Sequence, residues 1–440
     1  MSNEDGTVAL PRLGAPVNAE SWRSRVPVNP AFSCLSHAER VLLLQGPLGP
    51  FYDRMTGWLK ARGTEVRRVA FNAGDEADCG ALKPIRFTGA QGAWPGFLAD
   101  LVRTYRPDCI VLFGQNRYYH KVALERARAM DLPVVVMEEG YFRPGYVTME
   151  LWGVNGYSTT LDRFLWDAQV TDSGEFAPLP ADISAHHFQK MAWHATRHYA
   201  AMALGKRRYP GYVHHRVDSV GFYLTYWLRS WLRKGLRRGP DRALQRWLFD
   251  EKVPYYFVPL QVETDSQITH HSPFRDNSDF ILEVLPSFAR HAPKDAYLVF
   301  RQHPHARGGA GNHELIHTLA KALKVGDRVF HMSEGDTPDL AEHSIGTIVI
   351  NSTVGLQALE RGVPLMVMGD ALYKQAAFTF SGSLDAFWTG CTKPDRHAAH
   401  AFLAQVKHLT QAPASVYALR GETLRWGDDA PALQPQISVF

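Results

Sequence analysis

The run VVVMEEGYFRPG, residues 134–145, ends a stretch of apolar residues on two adjacent carboxylates and a glycine. Ionised neighbours at the end of a hydrophobic strand repel each other, so Glu138 and Glu139 need a use that offsets the cost. Adjacent residues of an extended chain point to opposite sides. One carboxylate can therefore meet a reactant while the other orients loops or pairs with Arg143. An acid placed there can take a proton from an incoming hydroxyl or attack a sugar carbon directly. The purely structural alternative is a strand-end salt bridge, such as Glu138 to Arg143.

A second group of residues suits a phosphate. In FRQHPHARG, 300–308, a strand ending in Arg301 is followed by His303, whose backbone is restricted by Pro304. That offers a cation and a switchable proton donor. In INSTVGLQALERGVP, 350–364, Ser352 and Thr353 open a helix with Gly355 in its first turn. Two hydroxyls and open N–H groups suit a nucleotide phosphate, and Glu360 follows about two turns on. In PLQVETDSQI, 259–268, Gln261, Asp265 and Gln267 cluster past a strand, where they can read a sugar or position a catalytic group. Gly46 and Gly49 in QGPLGPFYDRM would let the backbone approach a ligand closely. FNAGD, and GQNRYYHK with Asn116 and Lys121, are loops of the same kind. Each of these also fits an ordinary turn or N-cap. Together they have the logic of glycosyl transfer from a nucleotide-activated donor: cations and hydroxyls hold the departing phosphate while a carboxylate handles the acceptor or the sugar. No DxD, HExxH or Cys/His set marks an obligatory metal, so neither a metal nor another cofactor is expected.

Positioning such residues requires strand ends. VLLLQ (41–45), EVRRVAF (65–71), DCIVLF (108–113) and PVVVM (133–137) read as strands alternating with helical stretches such as 51–62. The same grammar returns in PYYFVPL (254–260), AYLVFRQ (296–302), GTIVI (346–350) and PLMVMG (364–369), with helices near 277–291, 312–323 and 354–361. The expected fold is α/β, with two Rossmann-type parallel-sheet domains whose strand ends meet at a central cleft. The expected divisions are a flexible arm (1–38), an acceptor-side domain (39–205), a basic aromatic segment (206–250), a nucleotide-sugar domain (251–395) and a C-terminal helix and tail (396–440).

With 440 residues, 45% hydrophobic and 21% charged, the chain has globular composition and enough length for two cores. Four scattered cysteines support neither a zinc site nor a disulfide framework. No signal peptide and no run of about 18 apolar residues is present, so a cytoplasmic location is expected. A formal charge of +4 is too weak to imply nucleic acid. Its distribution is uneven: residues 206–246 hold 11 Lys/Arg against two acids. Within it, SVGFYLTYWLRSWLRKGLRR, 219–238, if helical, groups Arg229, Arg233, Lys234 and Arg237 near the aromatic residues Tyr226, Trp227 and Trp231. That composition fits a helix lying on an anionic membrane surface, too charged to span it; a solvated linker or a core helix is the alternative.

Taken together, Glu138-Glu139-Gly140, His303-Pro304 and Ser352-Thr353 resemble the D/E-D/E-G, HP and S/T motifs of bacterial sialyltransferases, which use CMP-sugars on a two-domain GT-B scaffold. The longer strings quoted above, from about 41 to 375, are similar to the capsule polysaccharide KpsS/LipB family. That resemblance implies a GT-B-like β-Kdo transferase that moves Kdo from CMP-β-Kdo to a (lyso)phosphatidylglycerol acceptor at the inner face of the cytoplasmic membrane. Its product would start the linker of an exported capsule. By the same resemblance Glu139 is the catalytic acid with Glu138 beside it, and His303, Ser352 and Thr353 hold the CMP phosphate. Gln261 and Asp265 match a Gln-x-x-x-Asp of related chain-extending, retaining enzymes, so direct base catalysis and a covalent adduct both stand. A chain-extending Kdo transferase and the capsule export machinery are the implied partners. Two other readings are a non-catalytic assembly protein and a nucleotide-sugar epimerase on the same scaffold.

Overall fold

The computed structural model describes residues 29–142, 145–164, 187–214, 220–262, 268, 272–303, 306 and 312–418. All eight strands expected from the sequence form, each within two residues of its expected ends. In chain order the first sheet contains β1 (Arg40–Leu43), β2 (Glu65–Ala70), β3 (Ile85–Arg86), β4 (Cys109–Phe113), β5 (Val134–Glu139) and β6 (Tyr146–Leu151). The second contains β7 (Tyr255–Pro259), β8 (Tyr297–Arg301), β9 (Val329–Met332), β10 (Gly346–Val349) and β11 (Leu365–Val367). A last strand, β12 (Gln411–Pro413), returns to the first sheet.

Strand order is β12-β6-β5-β4-β1-β2-β3 in one sheet and β11-β10-β7-β8-β9 in the other. The parallel part of the first, β3-β2-β1-β4-β5, and the whole of the second follow the 3-2-1-4-5 order of a Rossmann half. The chain reverses direction along the sheet between β1 and β4 and between β7 and β10, the places where open α/β sheets hold ligands. The α/β, two-sheet plan is therefore present, with one change: β6 pairs antiparallel to β5, and β12 antiparallel to β6.

Strands of a sheet covered on both faces read as continuous apolar runs, and Val134–Met137 and Cys109–Leu112 are wholly buried. Helices that flank the sheets have capped ends. Asp276 accepts from the backbone N–H of Ser278 and Asp279 ahead of Asn277–His291, and Asp395 accepts from His397 and Ala398 ahead of Arg396–Thr410.

The helix Arg396–Thr410 packs on the helices Val354–Glu360 and Thr159–Phe164 and on β6, then runs into β12. One buried cluster beside it contains Tyr141 and Leu161 from the first half of the chain and Val349, Leu356, Phe402 and Val406 from the second. The long helix Val220–Asp250 splits its duties. Leu244, Trp247 and Leu248 pack with Tyr255, Phe257 and Met332, whereas Leu232 and Leu236 are 60% and 76% exposed. No described helix is long and apolar enough to cross a membrane.

Candidate active site

The acidic pair does not leave the sheet at Met137 as expected. Strand β5 continues through both acids, with Glu138 opposite Thr148 and Glu139 opposite Val147. The antiparallel partner β6 supplies ladder pairing that a parallel neighbour alone would not have extended this far. Because the strand alternates, the two half-buried carboxylates find different partners. Asn155 Nδ2 donates to Glu138 Oε2 at 2.8 Å, and the Tyr417 hydroxyl donates to Glu139 Oε1 at 2.6 Å. Gly140 turns the chain against β6 so tightly that a Cβ there would lie 2.2 Å from the Tyr146 carbonyl oxygen. The expected pairing partner Arg143 lies outside the described residues.

Behind Glu138 runs a buried polar chain. The Tyr141 hydroxyl accepts from Asn155 N–H at 2.7 Å and donates to Glu150 Oε1 at 3.2 Å, while Ser158 Oγ donates to Glu150 Oε2. Glu150 is 0% exposed. Burial first, then the Glu150 charge, pushes the Tyr141 hydroxyl well above its ordinary pKa, so it stays a proton donor.

The glycines of the first loop pack against the chain's own side chains. A Cβ on Gly46 would meet the Tyr52 ring at 2.8 Å, and one on Gly49, at φ +96°, would lie 2.6 Å from the His194 ring. Asp78, fully buried, binds this loop in place: it accepts from Gly49 N–H at 3.1 Å, lies 2.8 Å from His198 Nδ1 and pairs with Arg197. In FNAGD, Asp75 is likewise enclosed, accepting from Gln45, Asn72 and the Phe71 N–H. Asn116 is half-buried beside Arg117, whose Nη1 donates to the Gly46 carbonyl, and Lys121 is exposed on the helix Tyr118–Ala129.

On the second sheet three of the expected donor-binding residues have contacts within the fold. Arg301 spends Nε and Nη2 on the Gly335 carbonyl and Nη1 on that of Gln302. Buried to 8% exposure, the guanidinium needs those acceptors, and it ties the end of β8 to the loop after β9. Gln261 donates to Asn351 Oδ1 at 3.0 Å, closing the edge between β7 and β10. Gly355 is required by packing, since a Cβ there would lie 2.5 Å from the Tyr373 ring. Glu360 is exposed at the far end of Val354–Glu360 and pairs with Arg361.

Ser352 and Thr353 remain half-buried at the start of that helix. Ser352 Oγ accepts weakly from Val354 N–H at 3.3 Å, and the Thr353 side chain makes no cap bond. His303 sits half-buried two residues beyond β8, its carbonyl accepting from Ala306 N–H. Both positions lie on the carboxyl edge of the second sheet; β7 separates β8 from β10, so about 10 Å of edge lies between them. Asp265, Gln267 and Pro304 fall outside the described residues.

Tyr141, two residues past Glu139, shares a buried cluster with Val349 and Leu356, which bracket Ser352 and Thr353. Sequence reasoning missed Tyr417, Asn155, Tyr141, Glu150 and His194. The alternation in YVTMEL was the available sign for Glu150; no local pattern marks Tyr417. Among the described residues no group of three His, Cys, Asp or Glu side chains is placed to hold a metal ion.

The profile of the family described as capsule polysaccharide biosynthesis protein matches residues 108–417. Capsule polysaccharide export protein KpsS of Escherichia coli is 35% identical over 395 residues, covering 88% of this chain and 99% of the relative. Capsule polysaccharide modification protein LipB of Neisseria meningitidis serogroup B is 34% identical over 391 residues, covering 87% and 93%. Among solved structures, the β-Kdo 2,7 transferase KpsC of Thermosulfurimonas dismutans is similar at a TM-score of 0.39 and 15% identity, over 83% of this chain and 90% of that one. With the profile match covering most of the chain and the KpsS and LipB relatives aligned over nearly all of their length, the chain belongs to the capsule polysaccharide biosynthesis protein family.

Proposed function

We propose that this chain is a glycosyltransferase that moves Kdo from CMP-β-Kdo to a (lyso)phosphatidylglycerol acceptor and so starts the β-Kdo linker of an exported capsule. One observation carries the reading. Tyr141, two residues past Glu139, lies in one buried cluster with Val349 and Leu356, which stand on either side of Ser352 and Thr353, although more than 200 residues of chain separate the two stretches.

In the direct route the acceptor oxygen bonds to the anomeric carbon on the face that CMP leaves, which keeps the β configuration, and Glu139 takes the proton of its hydroxyl. The bond from that carbon to the phosphate oxygen breaks, and its electron pair leaves with CMP. In the covalent route the carboxylate first bonds to the anomeric carbon as CMP leaves; the acceptor oxygen then displaces the carboxylate, and its proton passes to a neighbouring carboxylate, Glu138 or Asp265. Either way, His303 and the Ser352 and Thr353 hydroxyls take up the charge growing on the phosphate. Asp265 is the proposed alternative carboxylate.

The acceptor's membrane gives the basic helix its role. Arg229, Arg233 and Lys234 are exposed beside Leu232 and Leu236, which suits a helix resting on an anionic leaflet at the inner face of the cytoplasmic membrane. Arg237 instead reaches His313, Nη2 to Nε2 at 3.3 Å. The side chains of Tyr226, Trp227 and Trp231 lie outside the described residues.

The name export protein carried by the KpsS relative favours a second reading, a non-catalytic assembly protein. Incubation with CMP-Kdo generated in situ and a phosphatidylglycerol analogue, followed by mass spectrometry, separates the two. Addition of Kdo is expected, and Glu139→Gln should lower the rate about 10²- to 10⁴-fold. An unmodified acceptor with the folded wild-type chain would sink the transferase reading.

A further inference from the structure

The last described segment of the chain is built into the first sheet's core. Strand β12 pairs with β6, Ala414 N–H donates to the Gly145 carbonyl at 2.9 Å, and Arg54 Nη1 donates to the Ser415 carbonyl at 3.1 Å. Ala412, Ala414, Val416 and Tyr417 are buried with Leu43, Met137 and Val147. Tyr417 itself is 9% exposed, and the bond from its hydroxyl to Glu139 Oε1 is 2.6 Å long. A hydroxyl so close to a carboxylate, held by a packed ring, is a charge-assisted donor with little freedom to swing away.

We infer that Tyr417 is a positioning residue for Glu139. Its hydroxyl fixes the carboxylate's rotamer and, by bonding to the ionised form, favours the state that can accept a proton or attack a sugar carbon. The residue comes from the far end of the chain because the helix Arg396–Thr410, which packs on the helix following Ser352 and Thr353, leads directly into β12. The same rod therefore touches the phosphate-side element and delivers the group that orients the acid. This assignment rests on Glu139 being the reacting carboxylate of the proposed transferase.

Tyr417→Phe keeps the ring and removes the hydroxyl, and two measurements read the result. In protein carrying ¹³C-carboxyl glutamate, with the Glu139 resonance assigned by its loss in Glu139→Gln, that resonance should titrate at higher pH in Tyr417→Phe than in wild type. In the transfer assay kcat should fall about 10- to 100-fold, with KM for donor and acceptor unchanged and the acid limb of the pH profile displaced upward. A ring that served packing alone would move neither pH curve. An unchanged Glu139 titration overturns the inference whether or not the wild type transfers sugar. A displaced titration with no transfer by wild type upholds the contact and rejects the transferase reading instead. Should Tyr417→Phe fail to fold, Arg54→Gln, which releases Ser415, should also displace the Glu139 titration upward; no displacement there overturns the inference.

Discussion

Two adjacent glutamates at the end of β5 are tolerated because alternation sends them to separate partners, Asn155 and Tyr417. Hydrogen-bond donors supplied to each carboxylate offset part of what desolvation costs. The residue that follows is equally constrained. Gly140→Ala would drive a Cβ into the Tyr146 carbonyl, a backbone atom that cannot swing aside. The β5–β6 turn should open, at a cost of about 1–3 kcal/mol in urea unfolding; stability equal to wild type would contradict that geometry. Glycine identity alone did not reveal this: Gly46 and Gly49 read as places where backbone could approach a ligand, and a Cβ at either would meet Tyr52 or His194.

At the level of elements, the helix Arg396–Thr410 is the least replaceable part, since it contacts the helices of both sheets and carries β12 home. On it Lys407 lies over the rings of Phe142 and Tyr146, at 5.4 and 4.7 Å from their centroids. Burial lowers its pKa from 10.5 to about 8, against the opposing pull of Glu360. Between those two values the unfolded chain holds a proton that the folded chain lacks, so this group makes stability rise with pH across that interval. Lys407→Met keeps the stem without the charge. Its melting temperature at pH 7 should exceed that of wild type by about 1–3 °C, and the difference should vanish above pH 10.5. A constant difference across the range would mean that packing, not charge, is responsible.

For the whole molecule, two sheets whose parallel strands share one order both contribute to an apolar cluster, and the helix Val220–Asp250 is packed at one end and exposed at the other. Exposed basic and leucine side chains at the outer end should bind anionic vesicles. Replacing Arg229, Arg233 and Lys234 together by Gln should weaken binding to phosphatidylglycerol-containing vesicles roughly 100-fold at low salt, from about 1 kcal/mol per basic side chain. The transfer rate onto a soluble short-chain acceptor should be unchanged. Equal vesicle binding by wild type and the triple variant in a sedimentation assay would remove the membrane from this helix.

The sequence by itself determined the eight strands expected from its apolar runs, the helices at 277–291 and 354–361 and the positions of the acid pair, His303 and the Ser/Thr pair at strand ends. These are local: a buried run of β-branched residues between turn formers has few other conformations open to it. Tertiary structure decided what no nearby spacing encodes. It extended β5 through Glu138 and Glu139 by pairing it with β6, gave Arg301 and Gln261 their hydrogen-bond partners at Gly335 and Asn351, and brought Tyr417 to Glu139 across 278 residues. Such contacts depend on which surfaces the cores bury together, and an acceptor or donor on a side chain carries no record in its neighbours of the distant partner that will satisfy it.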